Sequence, residues 1–147
     1  MEYVGVFLLW TFVIYWSHRI FHMIPALEKI HWCHHKYVLK GTGSTGWEWK
    51  HLFMWVDNLD GTIDQWLMEV IPTILLSWIT GHWWLCLFYW INTAFVQEHI
   101  RHNKRFDVYP LLTSGKWHMV HHKHKNNNYG VFFPIWDILF GTAKRHS

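Results

Sequence analysis

The stretch VIPTILLSWITGHWWLCLFYWINTAFVQ, Val70 to Gln97, decides how this chain is built. Its 28 residues contain no Asp, Glu, Lys or Arg. A membrane span takes about 20 residues, so the block is too long for one span and short for two. Gly81 stands at its middle as a break, and folding there into a hairpin returns both ends to one side. The charges agree: Lys29, Lys36, Lys40 and Lys50 precede the block, and Arg101, Lys104 and Arg105 follow it. Basic flanks mark the cytoplasmic side, so both ends are expected there with Gly81 pointing away. The arms are expected to begin near Asp60 and end near His102. Pro72 kinks the first, and Trp66, Trp78, Trp83, Trp84 and Trp90 supply interface anchors or lipid contacts.

Working outward, the N-terminal run from Tyr3 to Ser17 is also uncharged. A helix over residues 3 to 23 would be about 30 Å long, enough to cross a hydrocarbon core. It has no basic leader and no small-residue cleavage site, so it reads as part of the working protein and not as a signal peptide. Composition points the same way, with 51% hydrophobic and only 16% charged residues, 14 His and 13 Trp. The net charge of +3 could suggest nucleic acid, but no Lys or Arg lies in residues 1–18 or 51–100, which favours a membrane partner and no nucleic acid. Residues 1–147 are read as a single domain of five or six helices. Turns are expected at Lys40 to Gly46, Asp57 to Gly61, Thr80 to His82 and Asp107 to Pro110. The two cysteines, Cys33 and Cys86, are too few for a disulfide framework and read as reduced packing residues.

The histidines fall into four clusters: HRIFH (His18, His22), HWCHH (His31, His34, His35), EHIRH (His99, His102) and HMVHH (His118, His121, His122). Two of these share the pattern H-x-x-H-H. At about 100° per residue its first, fourth and fifth positions lie on one helix face, while the adjacent pair diverges by about 100°. One helix can therefore offer ligands to two ions lying side by side. A tetrahedral zinc needs four ligands, so ten histidines fit two ions better than one. Imidazole suits zinc, copper, iron and nickel alike. Iron is the expectation on chemical grounds, because a lipid-embedded site of neutral nitrogens suits oxidation of an unactivated C–H bond better than hydrolysis; zinc could occupy the site in a purified sample. Glu98, beside His99, is the one well-placed acidic participant. Isolated histidines such as His51, His82 and His146, and His124 after the last cluster, read as surface or hydrogen-bonded residues.

With these residues in hand, the chain resembles the fatty acid hydroxylase and sterol desaturase superfamily of membrane di-iron enzymes. The resemblance rests on YWSHRIFH followed by LEKIHWCHH, a hydrophobic hairpin, then HMVHH, NYG and WDILFGT. It implies His18, His22, His31, His34, His35, His118, His121 and His122 as metal ligands, with His99 and His102 from the third cluster; of those two, His102 followed by Asn103 is the closer match. It also implies that Asn128, Tyr129 and Asp137 shape the exit from the last ligand helix and orient ligands without binding metal.

The expectation is thus an all-α, membrane-embedded helical bundle with a cytoplasmic, histidine-rich dimetal cap. It would lie in a bacterial inner membrane or the endoplasmic reticulum. At most three spans are found, so either the embedding is shallower or assembly into a homo-oligomer completes it. The implied activity is hydroxylation or desaturation of a lipid (fatty acyl, sterol, sphingoid or carotenoid) using two iron ions and dioxygen. Electrons would come from a separate donor, a ferredoxin or a small haem cytochrome with its reductase, since the chain has no haem, flavin or iron–sulfur motif. Two other classes stay open: a non-catalytic metal-binding membrane protein and a zinc-dependent hydrolase using Glu98 as base.

Overall fold

The computed structural model describes residues 2–41, 47–56 and 58–145, apart from the side chain of Glu98. Most of the turn expected at Lys40 to Gly46, residue Asp57 and His146 lie outside the described residues. The chain forms α1 (Glu2–Met23), α2 (Pro25–Leu39), a 3₁₀ turn (Trp49–Phe53), α3 (Leu59–Gln65), α4 (Ile71–Thr80), α5 (Trp84–Asn92), α6 (Glu98–Ile100), α7 (Lys116–Lys123) and α8 (Ile135–Leu139). Two π-helical segments, Trp66–Val70 and Thr93–Gln97, join α3 to α4 and α5 to α6 without a break. Among the described residues there is no β-strand, only an isolated bridge between Asp107 and Gly115.

The hairpin forms as the sequence predicts. Its first arm runs through α3, the π segment and α4 to Gly81, whose φ of 72° ends the helix in the left-handed region that glycine enters without a Cβ clash. Pro72 has no N–H to give to the carbonyl of Met68 four residues earlier. That carbonyl instead accepts the Ser17 hydroxyl of α1 at 2.6 Å, which satisfies it and ties α1 to the hairpin. Trp10 Nε1 donates to Thr73 Oγ1 at 2.8 Å higher in the same seam. Around these bonds pack Trp10, Ile14, Val70, Leu76, Leu85 and Phe132. Their burial, at about 25 cal/mol per Å² of apolar surface, holds α1 against the hairpin.

α1 is the one described helix long and apolar enough to cross a membrane. Its 22 residues span about 33 Å at 1.5 Å per residue. The hairpin tip sits beside the start of α1, where His82 Nε2 lies 3.3 Å from Glu2 Oε1. Around this end α1, α4 and α5 leave large apolar side chains uncovered, including Val4, Leu75, Trp78, Ile79 and Leu87. Exposed apolar surface this extensive marks contact with lipid or another protein. His18 and His22 lie at the opposite end of α1, so the fold separates an apolar end from a histidine-rich end.

Candidate metal centre

α2 follows α1 after a single residue, Ile24, whose extended backbone and the helix-starting Pro25 turn the chain back. HWCHH of α2 is thereby laid beside the end of α1, and α7 packs against α2 to bring HMVHH to the same place. The histidines gather into two groups, His18, His22, His31, His35 and His121 in one and His34, His102, His118 and His122 in the other, each with its ring nitrogens within 4.8 Å of one another. The two H-x-x-H-H patterns are used in opposite senses. α2 gives its i and i+4 histidines, His31 and His35, to the first group and His34 to the second; α7 gives His118 and His122 to the second and His121 to the first. The 100° divergence of adjacent helical residues splits each pattern between the groups.

Hydrogen bonds fix the ring states in the first group. His18 Nδ1 donates to the Tyr129 carbonyl at 2.8 Å, His31 Nδ1 to Asp64 Oδ2 at 2.8 Å and His121 Nδ1 to the Asn127 carbonyl at 2.7 Å. A carbonyl or carboxylate only accepts, so Nδ1 carries a proton in each of these three rings, which leaves the lone pair of the metal-binding, neutral form on Nε2. His18 Nε2 lies 3.2 Å from His31 Nε2. His22 and His35 approach His121 Nε2 to 3.1 Å, and His31 and His35 approach each other to 3.0 Å. Two lone pairs facing at this distance repel unless a proton or a metal cation lies between them. Metal–imidazole bonds of about 2.0–2.1 Å place neighbouring ligand nitrogens about 2.9–3.4 Å apart, which these separations match.

In the second group His118 Nε2 lies 3.0 Å from His122 Nε2, and His102 Nε2 is buried without a hydrogen-bond partner. Ring centroids of His34 lie 4.9 Å from His102 and 5.0 Å from His122. Burial, followed by repulsion from neighbouring imidazoles, holds the pKa values of His35, His102, His118, His121 and His122 well below the usual histidine value. All five are therefore neutral at pH 7, the form that binds a metal. The donor set fits two ions held by five and four imidazoles.

His99 is not brought into either group. α6 ends at Ile100 with Arg101 as its C-cap, and of the two histidines His102 is the one whose ring packs against His34 of α2 and His118 of α7. Glu98 lies in α6, but its side chain is outside the described residues. His51 and His82 stand apart and are hydrogen-bonded, His51 Nδ1 accepting from the Glu48 amide at 3.1 Å and His82 Nδ1 donating to the Thr80 carbonyl at 2.7 Å. His124 is exposed.

The segment after α7 wraps the first group. Asn128, at φ 58°, bonds the Trp117 carbonyl and both polar backbone atoms of Lys144, closing the loop onto the C-terminal segment. Asp137 accepts from the amides of Tyr129 and Gly130 at 2.8 and 2.9 Å. It touches no ligand ring; it fixes the peptide whose carbonyl orients His18. Burial raises the Asp137 pKa, and the hydrogen bonds from Thr142, Gly130 and Tyr129 oppose that shift. Sequence reasoning missed Asp64, which holds His31, and Glu69, which pairs with Arg101 at 2.9 Å. Both are carboxylates in the first arm of the hairpin and both are buried, at 2% and 1% exposure. A charge in such a position needs a partner, and that was the available signal.

Comparison with known proteins adds a family. The family model described as fatty acid hydroxylase matches residues 3–142. A Delta(7)-sterol 5(6)-desaturase of Gibberella zeae is 28% identical over 140 residues, covering 95% of this chain and 37% of that protein. A putative Delta(7)-sterol-C5(6)-desaturase of Arabidopsis thaliana is 30% identical over 148 residues, covering 95% and 47%. A Delta(7)-sterol 5(6)-desaturase of Candida glabrata is 29% identical over 133 residues, covering 90% and 33%. The chain thus spans between a third and a half of the length of these relatives. No solved structure matches it. With a family match running from the first apolar helix to the loop beyond α8, and with the histidine groups falling inside it, this chain belongs to the fatty acid hydroxylase family.

Proposed function

We propose that this chain is a membrane-embedded oxidoreductase domain that hydroxylates or desaturates an unactivated C–H position of a lipid. One observation carries the reading: imidazole groups of five and four, with Nε2 atoms converging to 3.0–3.2 Å, lie at one end of a helical bundle whose other end exposes apolar side chains. Two iron ions are the proposed occupants, held by His18, His22, His31, His35 and His121 and by His34, His102, His118 and His122. Iron, when bound, supplies the redox chemistry with dioxygen that an unactivated C–H bond requires.

The chain's own residues do the positioning. The Tyr129 and Asn127 carbonyls and the Asp64 carboxylate each hold a ligand Nδ1–H, so that Nε2 points inward as a base. The exposed apolar faces of α1, α4 and α5 sit in the bilayer, of the endoplasmic reticulum or a bacterial inner membrane, with the histidine end toward the cytoplasm; the basic flanks of the hairpin support that orientation. Substrate reaches the site laterally from the lipid. Electrons come from a separate donor protein, a ferredoxin or a small haem cytochrome with its reductase. The names of the relatives make sterols the first lipid class to test.

The test is incubation of iron-loaded protein in vesicles with lipid extracts, a reducing system and isotopically labelled dioxygen, followed by mass spectrometry of the lipids. Label in the product reports hydroxylation, and loss of two hydrogens without label reports desaturation. Absence of any reductant-dependent product across sterol, fatty acyl, sphingoid and carotenoid fractions refutes the reading.

A further inference from the structure

The two π-helical segments place a buried charged layer between the apolar hairpin and the histidines. π turns insert an extra residue into a helix and are frequent where side chains are re-aimed for function. In the first arm the π segment Trp66–Val70 carries Glu69, 1% exposed. The second arm, with its own π segment, runs on through α6 to Arg101. Arg101 Nη1 forms an ion pair with Glu69 Oε1 at 2.9 Å, and Nη2 donates to Glu69 Oε2 at 3.3 Å. Tyr89 donates to Glu69 Oε2 at 3.0 Å, and Gln65 Nε2 donates to the Tyr89 hydroxyl at 3.0 Å.

Arg101 is also a backbone joint. Its carbonyl accepts from Gly115, the residue that precedes α7, at 3.0 Å, and its own amide donates to Gln97 at 2.8 Å. The next residue is His102, which has left helix α6 and so lacks the helical backbone that holds His34, His118 and His122. The guanidinium lines the same small cavity, about 20 Å³, as His34, His102, Asp64 and Glu69. A buried positive charge there opposes any cation on the neighbouring imidazoles unless a carboxylate cancels it.

We propose that the Glu69–Arg101 pair is a positioning device for the group His34, His102, His118 and His122: it fixes the peptide that carries His102 and cancels the guanidinium charge, so that this group accepts a metal cation. The inference rests on the two-ion reading above. It assigns the second ion's affinity to residues outside the histidine group itself. Asp64, bonded to His31, serves the first group, so the two carboxylates divide the two sites between them.

The experiment is titration of the full chain, purified without metal in detergent, with Co²⁺ read by its ligand-field absorption and by equilibrium dialysis. Wild type is expected to bind two ions. Glu69→Gln keeps the shape and leaves the arginine uncompensated; the expected result is one ion bound with wild-type affinity and the other weakened about ten- to hundredfold, the range for residues supporting a ligand. Neutralising the arginine as well, in Glu69→Gln/Arg101→Gln, removes the repulsion and is expected to recover part of that loss, also if Glu69→Gln alone fails to fold. In a His118→Ala/His122→Ala background, where only the first group remains, Glu69→Gln is expected to leave affinity within about twofold. Two ions bound by wild type but equal weakening at both sites in Glu69→Gln, or no weakening at either, overturns the proposal alone. No recovery in the double variant overturns it as well. Fewer than two ions bound by wild type overturns the two-ion reading and this proposal with it.

Discussion

Asp64→Asn separates charge from shape at the first histidine group. Asp64 Oδ2 accepts from His31 Nδ1 at 2.8 Å, and both side chains are buried at 2% exposure. The amide oxygen of asparagine keeps an acceptor in place, and its NH₂ falls where Asp64 Oδ1 now lies buried without a hydrogen-bond partner, so the change opens no void. A hydrogen bond to a charged acceptor contributes about 1.5–3 kcal/mol and one between neutral groups about 0.5–1.5 kcal/mol. The metal-free fold is thus expected to lose about 1 kcal/mol, or a few degrees in melting temperature. The larger effect is on the lone pair: without the carboxylate, His31 Nε2 is a weaker base, and removal of such a partner typically lowers metal affinity about ten- to hundredfold, or about 1.4–2.7 kcal/mol. Cobalt titration of the metal-free protein in detergent, with a thermal melt of the same sample, measures both. One ion should weaken while the other, on His34, His102, His118 and His122, binds as in wild type. Unchanged affinity for both ions would refute the claim that Asp64 orients His31 as a ligand.

Other substitutions probe the rest of the account. His121→Ala and His122→Ala, neighbours in α7, should each reduce the bound metal from two ions to one, but at different sites, so that the double variant binds none; dialysis and metal analysis decide it. His99→Ala should keep both ions, because His99 lies outside both groups, and loss of either ion would contradict the geometry. Gly130→Ala puts a Cβ 2.6 Å from the Phe133 carbonyl oxygen and 2.7 Å from Asp137 Oδ2, overpacking that should cost about 1–3 kcal/mol and lower the melting temperature of the metal-free protein. In a Cys33→Ser/Cys86→Ser background expressed in intact bacteria, a membrane-impermeant thiol reagent should label Trp83→Cys near the hairpin tip and spare His124→Cys at the histidine end. The opposite labelling would reverse the proposed orientation.

Much of this was legible because long-range order here is written in short-range patterns. The uncharged block with Gly81 at its centre specifies a hairpin, since an apolar helix broken by a residue free to adopt φ 72° has few other ways to bury its arms. The repeated H-x-x-H-H specifies divergence of adjacent ligands, which helix geometry alone dictates. Which histidine of each pattern goes to which group was not legible: it depends on how α2 and α7 rotate against α1, and that is set by packing over the whole bundle. His99 shows the same limit. Its spacing from His102 matches a helix face, but the helix ends at Ile100, and no strong stop signal marks that residue. Asp64 and Glu69 were passed over because a carboxylate on a helix reads as solvated until its burial is known, and the partners that hold them, His31 and Arg101, lie 33 and 32 residues away in sequence.

The central claim is that one chain holds two metal ions on histidines alone. Quantitative metal analysis of the iron-loaded, detergent-purified chain, normalised to protein by amino-acid analysis, tests it most directly. The account predicts two ions per chain, falling to one when either His121 or His122 is replaced by alanine. One ion or none in the unaltered protein, or a count that neither substitution changes, would contradict it.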